Sequence, residues 1–125
     1  MNNKPYLCIA EDLDVGEGAT VIPVTHYTPL VVPLHEVWAA ILTCYVKGAN
    51  AGSTGNVTFN FQTYDSLRNS WDTIPFQTVV VALNGITYVQ KSIALDGIPE
   101  MIRLGSIVNA DATYHVTVNA MVYTQ

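Results

Sequence analysis

Residues 57–63, which read VTFNFQT, decide the fold class because apolar and polar side chains alternate strictly along them. Val57, Phe59, Phe61 and Thr63 fall on one parity, and the other parity holds threonine, asparagine and glutamine at 58, 60 and 62. This period of two is typical of a β-strand with one face in a core and the other in solvent. Residues 113–123 alternate in the same way, so we predict a second half-buried strand there.

Turn signals divide the rest of the chain into short β-rich runs. Asn84-Gly85 lies between the runs 76–83 and 86–95, and this dipeptide favours a tight hairpin because both residues tolerate positive φ. The stretch 48–55, GANAGSTG, predicts a flexible loop. We therefore predict an all-β protein, a jelly-roll-like β-sandwich of about eight antiparallel strands with an extended N-terminal arm. An immunoglobulin-like sandwich is the alternative topology.

Residues 34–46, LHEVWAAILTCYV, are the one segment whose composition also suits a helix, through Ala39, Ala40 and Leu42. β-branched and aromatic residues dominate the segment, and no capping residue precedes it, so we predict a strand. This strand is unusual because it is apolar on both faces. We expect both faces to be covered.

The start of the chain differs from the rest, and we predict an extended arm or edge segment, 1–35, followed by a β-sandwich domain, 36–125. The arm holds an acidic stretch, 11–18, and then the apolar run TVIPVTHYTPLVVPLH, which three prolines interrupt. Proline lacks the N–H that a sheet interior needs, so we expect the arm to lie across a sheet edge or on a neighbouring subunit. The residues predicted to contact a partner are Tyr6, Leu7, Ile9, Val21, Ile22, Tyr27, Leu30, Val31, Val32, Leu34 and Trp38.

Composition excludes several classes of protein. Only 12% of the 125 residues are charged, against about 25% in a typical soluble domain. The net charge is −5 and the five basic residues are scattered, so we predict no binding to nucleic acid. Prolines and turn dipeptides interrupt every uncharged run, so we predict no membrane-spanning segment. No signal peptide is legible, and we expect synthesis in the cytoplasm of a host.

No catalytic motif is legible, and we predict a protein that is not an enzyme and takes no cofactor or metal. His115 falls on the polar parity of a strand, which predicts an exposed side chain. The alternative to a protein without a metal is a metal site formed by His26, His35 and a carboxylate. The acidic stretch 11–18 lacks the residue order of a calcium loop, and we interpret it as a solvated turn.

The cysteines and the aromatic residues leave alternatives open. Cys8 and Cys44 fit no metal-ligand spacing, so they are either two free thiols or, in an oxidising location, a disulfide. Aromatic side chains serve in cores, in protein interfaces and as carbohydrate platforms, and Trp71, which follows a polar turn, is open to all three roles. The aromatic residues considered for a binding surface are Tyr6, Tyr27, Trp38, Tyr64, Trp71, Tyr88 and Tyr123.

A series of motifs from about residue 37 to residue 124 resembles a recurrent β-sandwich of tailed-phage virion proteins. The series combines an apolar strand, a small-residue loop, a polar turn before a tryptophan, and a final alternating strand. The matching motifs are the loop at 48–55, VTFNFQ at 57–62, SLRNSW at 66–71, Asn84-Gly85, GIPEMIRL at 97–104 and the strand at 114–123.

The resemblance implies a structural role on a phage particle, above all as a head decoration or auxiliary capsid protein. Such a protein is expected in the virion as a homo-oligomer, with a trimer favoured, bound to the major capsid protein. Arg103 matches the arginine of the motif, and we expect it to pair with a carboxylate or a turn carbonyl. The long arm departs from the pattern and leaves a tail or fibre component as an alternative. A β-sandwich that binds host glycans is the alternative from another class.

Overall fold

The computed structural model describes residues 6–22, 32–33, 40–65, 67–72, 77–95 and 101–124. Within these ranges the chain forms ten β-strands and no helix, so the described part has no helix suited to crossing a membrane. The strands are β1 (Tyr6–Val15), β2 (Thr20–Val21), β3 (Val32–Pro33), β4 (Ala40–Gly48), β5 (Asn56–Asp65), β6 (Ser70–Trp71), β7 (Gln77–Ala82), β8 (Val89–Ala94), β9 (Met101–Asn109) and β10 (Val116–Thr124).

The strands form two antiparallel sheets. The first sheet has the order β1-β10-β4-β8. In the second sheet β2 and β3 both pair with β9, β9 pairs with β5, and β5 pairs with both β7 and β6. Counting β2 with β3 as one position and β6 as an extension gives eight positions, ordered 1-8-3-6 in one sheet and 2-7-4-5 in the other. This is the jelly-roll arrangement, so the predicted fold class is confirmed.

The predicted alternation is confirmed on the inner faces of the two sheets. Val57, Phe59 and Phe61 of β5 are fully buried, and the polar residues between them lie on the outer face. Full burial of a side chain of this size stabilises the fold by about 1.5–3 kcal/mol relative to exposure. The buried residues that the first sheet contributes from β4 and β10 are Ala40, Leu42, Cys44, Val46, Val116, Val118, Ala120 and Val122.

The described parts of the segment 1–35 are edge strands. β1 pairs with β10 at the edge of the first sheet, and β2 and β3 pair with β9 at the edge of the second sheet. The predicted boundary between 35 and 36 lies outside the described residues and stays a prediction.

The Asn84-Gly85 turn forms, but the prediction of a hairpin was wrong. The N–H of Thr87 donates to the carbonyl of Asn84 at 3.1 Å, which closes a tight turn. β7 before the turn pairs with β5 of the second sheet, whereas β8 after it pairs with β4 of the first sheet. The turn therefore carries the chain from one sheet to the other, because each flanking strand pairs with a longer strand elsewhere and not with its neighbour in sequence.

Asn109 ties together the loops at one end of the sandwich. Its side chain is fully buried, and its Nδ2 donates to the carbonyls of Val15, Gly16 and Tyr114 at 3.4, 3.1 and 3.0 Å. Its Oδ1 accepts the N–H of Asp111 at 2.9 Å. One side chain thus satisfies backbone groups from two separate parts of the chain, residues 15–16 and 111–114.

The glycine-rich stretch 48–55 was predicted to be a flexible loop, and the structure shows it held by hydrogen bonds instead. The N–H of Gly85 donates to the carbonyl of Ser53 at 3.0 Å, and the N–H of Gly48 donates to the carbonyl of Gly85 at 3.1 Å. The carboxylate of Asp111 accepts the N–H of Thr54 at 3.0 Å. The loop is therefore a built part of the same end of the sandwich.

Asp111 makes the stability of this end depend on pH. Hydrogen bonds from the N–H groups of Thr113, Tyr114 and Thr54 hold the pKa of this carboxyl below its ordinary value of 3.8, against the opposing effect of burial. The depressed pKa means that the stabilisation is present above pH 3.8 and is lost as the pH falls through the lower folded value. We expect Asp111→Asn to lower the free energy of unfolding at pH 7 and to reduce its fall between pH 7 and pH 3. Urea unfolding at both pH values checks this, and an unchanged slope in the variant would contradict the assignment.

Candidate binding surfaces on the two outer faces

A groove of about 350 Å³ opens on the outer face of the first sheet, and we call it the tyrosine groove. It is lined by Tyr45, Tyr88, Asn119 and Met121. Tyr45 of β4 lies opposite Asn119 of β10, and Met121 lies two residues further along β10, so one face of two neighbouring strands supplies three of the four residues. Tyr88 directly precedes β8, the edge strand on the other side of β4.

Contacts between the side chains fix the aromatic rings of this face. Tyr45 is hydrogen-bonded to Tyr123, and burial, followed by this neighbouring hydroxyl, raises the pKa of Tyr45 above its ordinary value. The hydroxyl of Tyr123 donates to Sδ of Met121 at 3.8 Å. The Nζ of Lys47 lies 5.2 Å from the centre of the Tyr88 ring, a cation–π contact that leaves this ring 55% exposed.

Two polar groups of the groove, the hydroxyl of Tyr45 and the amide of Asn119, are already hydrogen-bonded within the chain. Asn119 accepts the N–H of Asp12 through Oδ1 at 2.9 Å and donates through Nδ2 to the Asp12 carboxylate at 3.3 Å. Asp12 has a φ of 46°, at an irregularity in the pairing of β1, so Asn119 holds this strand in place. Thr43, opposite Met121, shares a hydrogen bond with Ser92 at 2.9 Å. What the groove offers to a partner is therefore mainly apolar and aromatic surface.

The expectation that both faces of β4 are covered is met in part. Thr43 on the outer face is only 2% exposed, whereas Ile41 on the same face is 42% exposed. Neighbouring side chains therefore cover the outer face at Thr43 and partly at Tyr45 and Lys47, and the Ile41 end is open.

The outer face of the second sheet carries a different arrangement, the Arg103 stack, made of Gln62, Trp71 and Arg103. The Nε of Arg103 donates to Oε1 of Gln62 at 2.8 Å, and its Cζ lies 4.4 Å from the centre of the Trp71 ring. Trp71 packs edge-to-face against Tyr64, with the ring centres 5.4 Å apart. The predicted partner of Arg103, a carboxylate or a turn carbonyl, was wrong: the partner is the side-chain amide of Gln62, because the two residues are direct neighbours across β5 and β9.

Gly105 allows Gln62 to take this position. A Cβ at Gly105 would lie 2.7 Å from Cδ of Gln62, closer than any real Cβ contact. The missing side chain therefore lets Gln62 lie along β9 and reach Arg103.

Most of the residues predicted to contact a partner have side chains outside the described part of the chain. Val21 is half-buried and packs against the core, and Ile22 is 50% exposed. Tyr6, Leu7, Ile9 and Val32 lie in strands paired to the sheets, but their side chains are outside the described residues, as are Tyr27, Leu30, Val31, Leu34 and Trp38 altogether. The predicted interface stays a prediction.

The structure accounts for several other candidate residues. His115 is exposed as predicted, and its Nδ1 lies 2.6 Å from the Asp14 carboxylate.

Cys44 is a free, fully buried thiol, and burial raises its pKa to about 12. The side chain of Cys8 is outside the described residues. His26 and His35 are outside them too. Across the described part of the chain, no group of three or more histidine, cysteine, aspartate or glutamate residues is placed to hold a metal ion.

Comparison with known proteins gives similarity in fold. No family model matches the chain, and no curated protein does. Among solved structures the chain is similar to part of tripeptidyl peptidase 2, with a TM-score of 0.56 and 10% identity over 99% of this chain and 10% of that one. It is also similar to PirA (TM-score 0.42, 12% identity, 100% and 97% of the chains) and to a chain of Bacillus endospore appendages, which form disulfide-linked pili (TM-score 0.40, 15% identity, 98% and 87%).

The chain spans about a tenth of tripeptidyl peptidase 2. This similarity has a TM-score above 0.5, and at 10% identity it concerns the fold alone. The all-β sandwich is therefore shown, and the resemblance to phage virion proteins stays a prediction.

Proposed function

We propose that the protein is a non-enzymatic structural component of a phage particle, which binds and stabilises the capsid surface as an oligomeric decoration or auxiliary protein. The observation that carries the proposal is the outer face of the first sheet. Along β4, β8 and β10, the outward-facing positions hold a single charged side chain, Lys47, in a chain of net charge −5. The exposed carboxylates of Asp12 and Asp14 lie on β1 at the edge of this sheet, so the centre of the face is left aromatic and open.

A face of this kind suits a protein partner. Protein interfaces are enriched in tyrosine, tryptophan, methionine and arginine at their centres and depleted in charge, and a few aromatic anchors supply most of the binding energy. Tyr88 is exposed, is backed by Lys47 and lines the tyrosine groove, so it is the anchor that we expect to contribute most. The particle assignment itself rests on the motif resemblance, and terminase, portal and major capsid genes beside the gene for this chain would support it.

Light scattering coupled to size-exclusion chromatography tests the proposal. We expect the wild-type chain to form an oligomer, with a trimer favoured, at micromolar concentration. Tyr88→Ala should weaken assembly about 30-fold, as expected for the loss of about 2 kcal/mol at an interface anchor. The matched control is Ile86→Ala, which removes a neighbouring side chain that is 57% exposed and does not line the groove. A wild-type chain that stays a monomer at micromolar concentration would contradict the proposal.

A carbohydrate-binding module is the second candidate, because the Tyr88 ring is exposed beside a groove. Trp71, the other residue considered for sugar stacking, is less suited, since Arg103 covers one side of its ring and Tyr64 packs against it. A glycan array with wild type, Tyr88→Ala and Trp71→Ala separates the candidates. Glycan binding that is lost in Tyr88→Ala while the oligomer stays intact would favour the module over the structural role.

A further inference from the structure

The guanidinium of Arg103 is held in place, but only one of its three nitrogen atoms has a hydrogen-bond partner among the described residues. Its Nε is bound to Gln62 and its plane is placed over Trp71, so the side chain is ordered before any partner arrives. Within the part of the chain that the structure describes, its two terminal Nη groups have no hydrogen-bond or ion-pair partner. The side chain is half-buried on the outer face of the second sheet.

Arg68 shows what a satisfied arginine looks like in the same molecule. Its Nε donates to Asp65 at 2.8 Å and its Nη2 to Asp72 at 2.5 Å, so two carboxylates neutralise it. Among the described residues Arg103 has no such neighbour: burial lowers its pKa, and no described carboxylate acts in the opposite direction. A partly desolvated cation with an open fork of N–H donors is the geometry that binds a carboxylate through two parallel hydrogen bonds.

We propose that the Arg103 stack is a binding site for an aspartate or glutamate side chain of a protein partner, the end-on fork of Nη1 and Nη2 holding both carboxylate oxygens. The inference rests on the proposed function, under which the chain has a protein partner. It adds that this partner presents a carboxylate to Arg103. Tryptophan, tyrosine and arginine, which meet here, are the residue types enriched at the anchors of protein interfaces.

A sugar carboxylate is a poorer fit to the same site. Sugar recognition combines an aromatic platform with several converging polar groups. Here Arg103 itself covers the Trp71 ring, and the Tyr64 hydroxyl is already hydrogen-bonded to Asn69. The guanidinium is the charged group of the stack, and its open donors suit a single carboxylate in a surrounding protein surface.

An NMR titration of the full chain with sodium acetate, at ionic strength held constant with sodium chloride, tests the site. The chain has two arginines and two tryptophans, so the Arg Nε–H and Trp indole signals are simple to assign. We expect saturable shifts at Arg103 and Trp71 with half-saturation at roughly 10–100 mM acetate, the range expected for one charge-assisted contact. Arg68 is the internal control, and its Nε–H should not move, because its carboxylates are already in place.

Two variants separate the fork from the charge. Arg103→Lys keeps the charge but removes the planar fork, and we expect the Trp71 shift to be lost. Gln62→Glu places a carboxylate beside Nε, and we expect it to abolish the acetate response while the fold is retained. A lysine variant that binds acetate as tightly as wild type would overturn the proposal, as would equal shifts at Arg68 and Arg103.

The identity of the partner is tested with small probes. N-acetyl-Gly-Asp-Gly amide should shift the Arg103 signal, and the matched Gly-Asn-Gly peptide should not. Glucuronate binding tenfold more tightly than the aspartyl peptide would overturn the assignment to a protein.

If the wild-type signals do not respond to acetate, light scattering on Arg103→Lys decides. Dissociation of the oligomer means that a second copy already supplies the carboxylate, and an unchanged oligomer overturns the proposal. A monomeric wild type that responds to acetate would refute the proposed function alone.

Discussion

Asn109→Ala is expected to lower the free energy of unfolding by about 3–5 kcal/mol, a large share of the total for a domain of this size. The substitution leaves the carbonyls of Val15, Gly16 and Tyr114, which are buried or partly buried, without their donor and the buried N–H of Asp111 without its acceptor. A buried polar group that loses its partner costs about 1–3 kcal/mol, and water entering the space restores only part of this. Equilibrium unfolding in urea measures the change directly.

Asn60→Ala is the matched control for this prediction. Asn60 is half-buried, and among the described residues its side chain bonds only to the hydroxyls of Ser106 and Thr78, which water can replace, so we expect a loss below about 1 kcal/mol. Asn109→Asp keeps the size of the side chain but directs a carboxylate at three carbonyls, and it should be at least as damaging as alanine at pH 7. An Asn109→Asp protein as stable as wild type would show that the donor role is wrong.

Gly48→Ala is expected to destabilise the protein by about 2–3 kcal/mol, because the site has no room for one more carbon. A Cβ at this position would lie 2.3 Å from Cβ of Ser53 and 2.4 Å from the carbonyl oxygen of Gly85. Ser53 is 1% exposed and the Gly85 oxygen is backbone, so neither can move without breaking the loop hydrogen bonds. The thermal unfolding midpoint should fall in the variant, together with the midpoint in urea.

Gly16→Ala provides the comparison, since the nearest atom to its added Cβ is 3.6 Å away, at ordinary contact distance. We expect this substitution to change the stability by no more than about 0.5 kcal/mol. If both glycine variants unfold at the same midpoint as wild type, the close packing between the 48–55 loop and the Gly85 turn is not what holds this end together.

The strands of this protein were predictable because their signal is local. Val57, Phe59 and Phe61 alternate with polar residues, and any sheet that buries one face of such a strand must bury these three. The same reasoning gave the buried parity of 113–123. Strand number and length then favoured a jelly roll over other sandwiches, and the structure confirms this fold class.

The pairing partners and the loop contacts were not predictable in the same way. The Asn84-Gly85 dipeptide specifies a tight turn but carries no information on which strand each flank will join. Asn109 reads as a turn residue, yet it bonds to carbonyls more than ninety residues earlier in the chain, so only the assembled sandwich shows its role.

The candidate binding surfaces were predictable only in part. Alternation placed Met121 and Tyr123 on the outer face of the last strand, but nothing in it brings them beside Tyr45, since that depends on the register between β4 and β10. The partner of Arg103 depends on register in the same way. Long-range register is the information that a single sequence lacks, and both surfaces depend on it.

The pairing of β1 with β10 has a consequence for how the protein is made. Tyr6 lies opposite Tyr123 and Val15 opposite Val116, so among the described residues β1 pairs only with a strand that is synthesised at least a hundred residues later. Closing so long a loop is slow, and until it closes, the unpaired backbone groups of β1 are exposed to other chains. Synthesis rate and chaperone supply should therefore govern the yield of soluble protein more strongly than they would for a sandwich built of sequential hairpins.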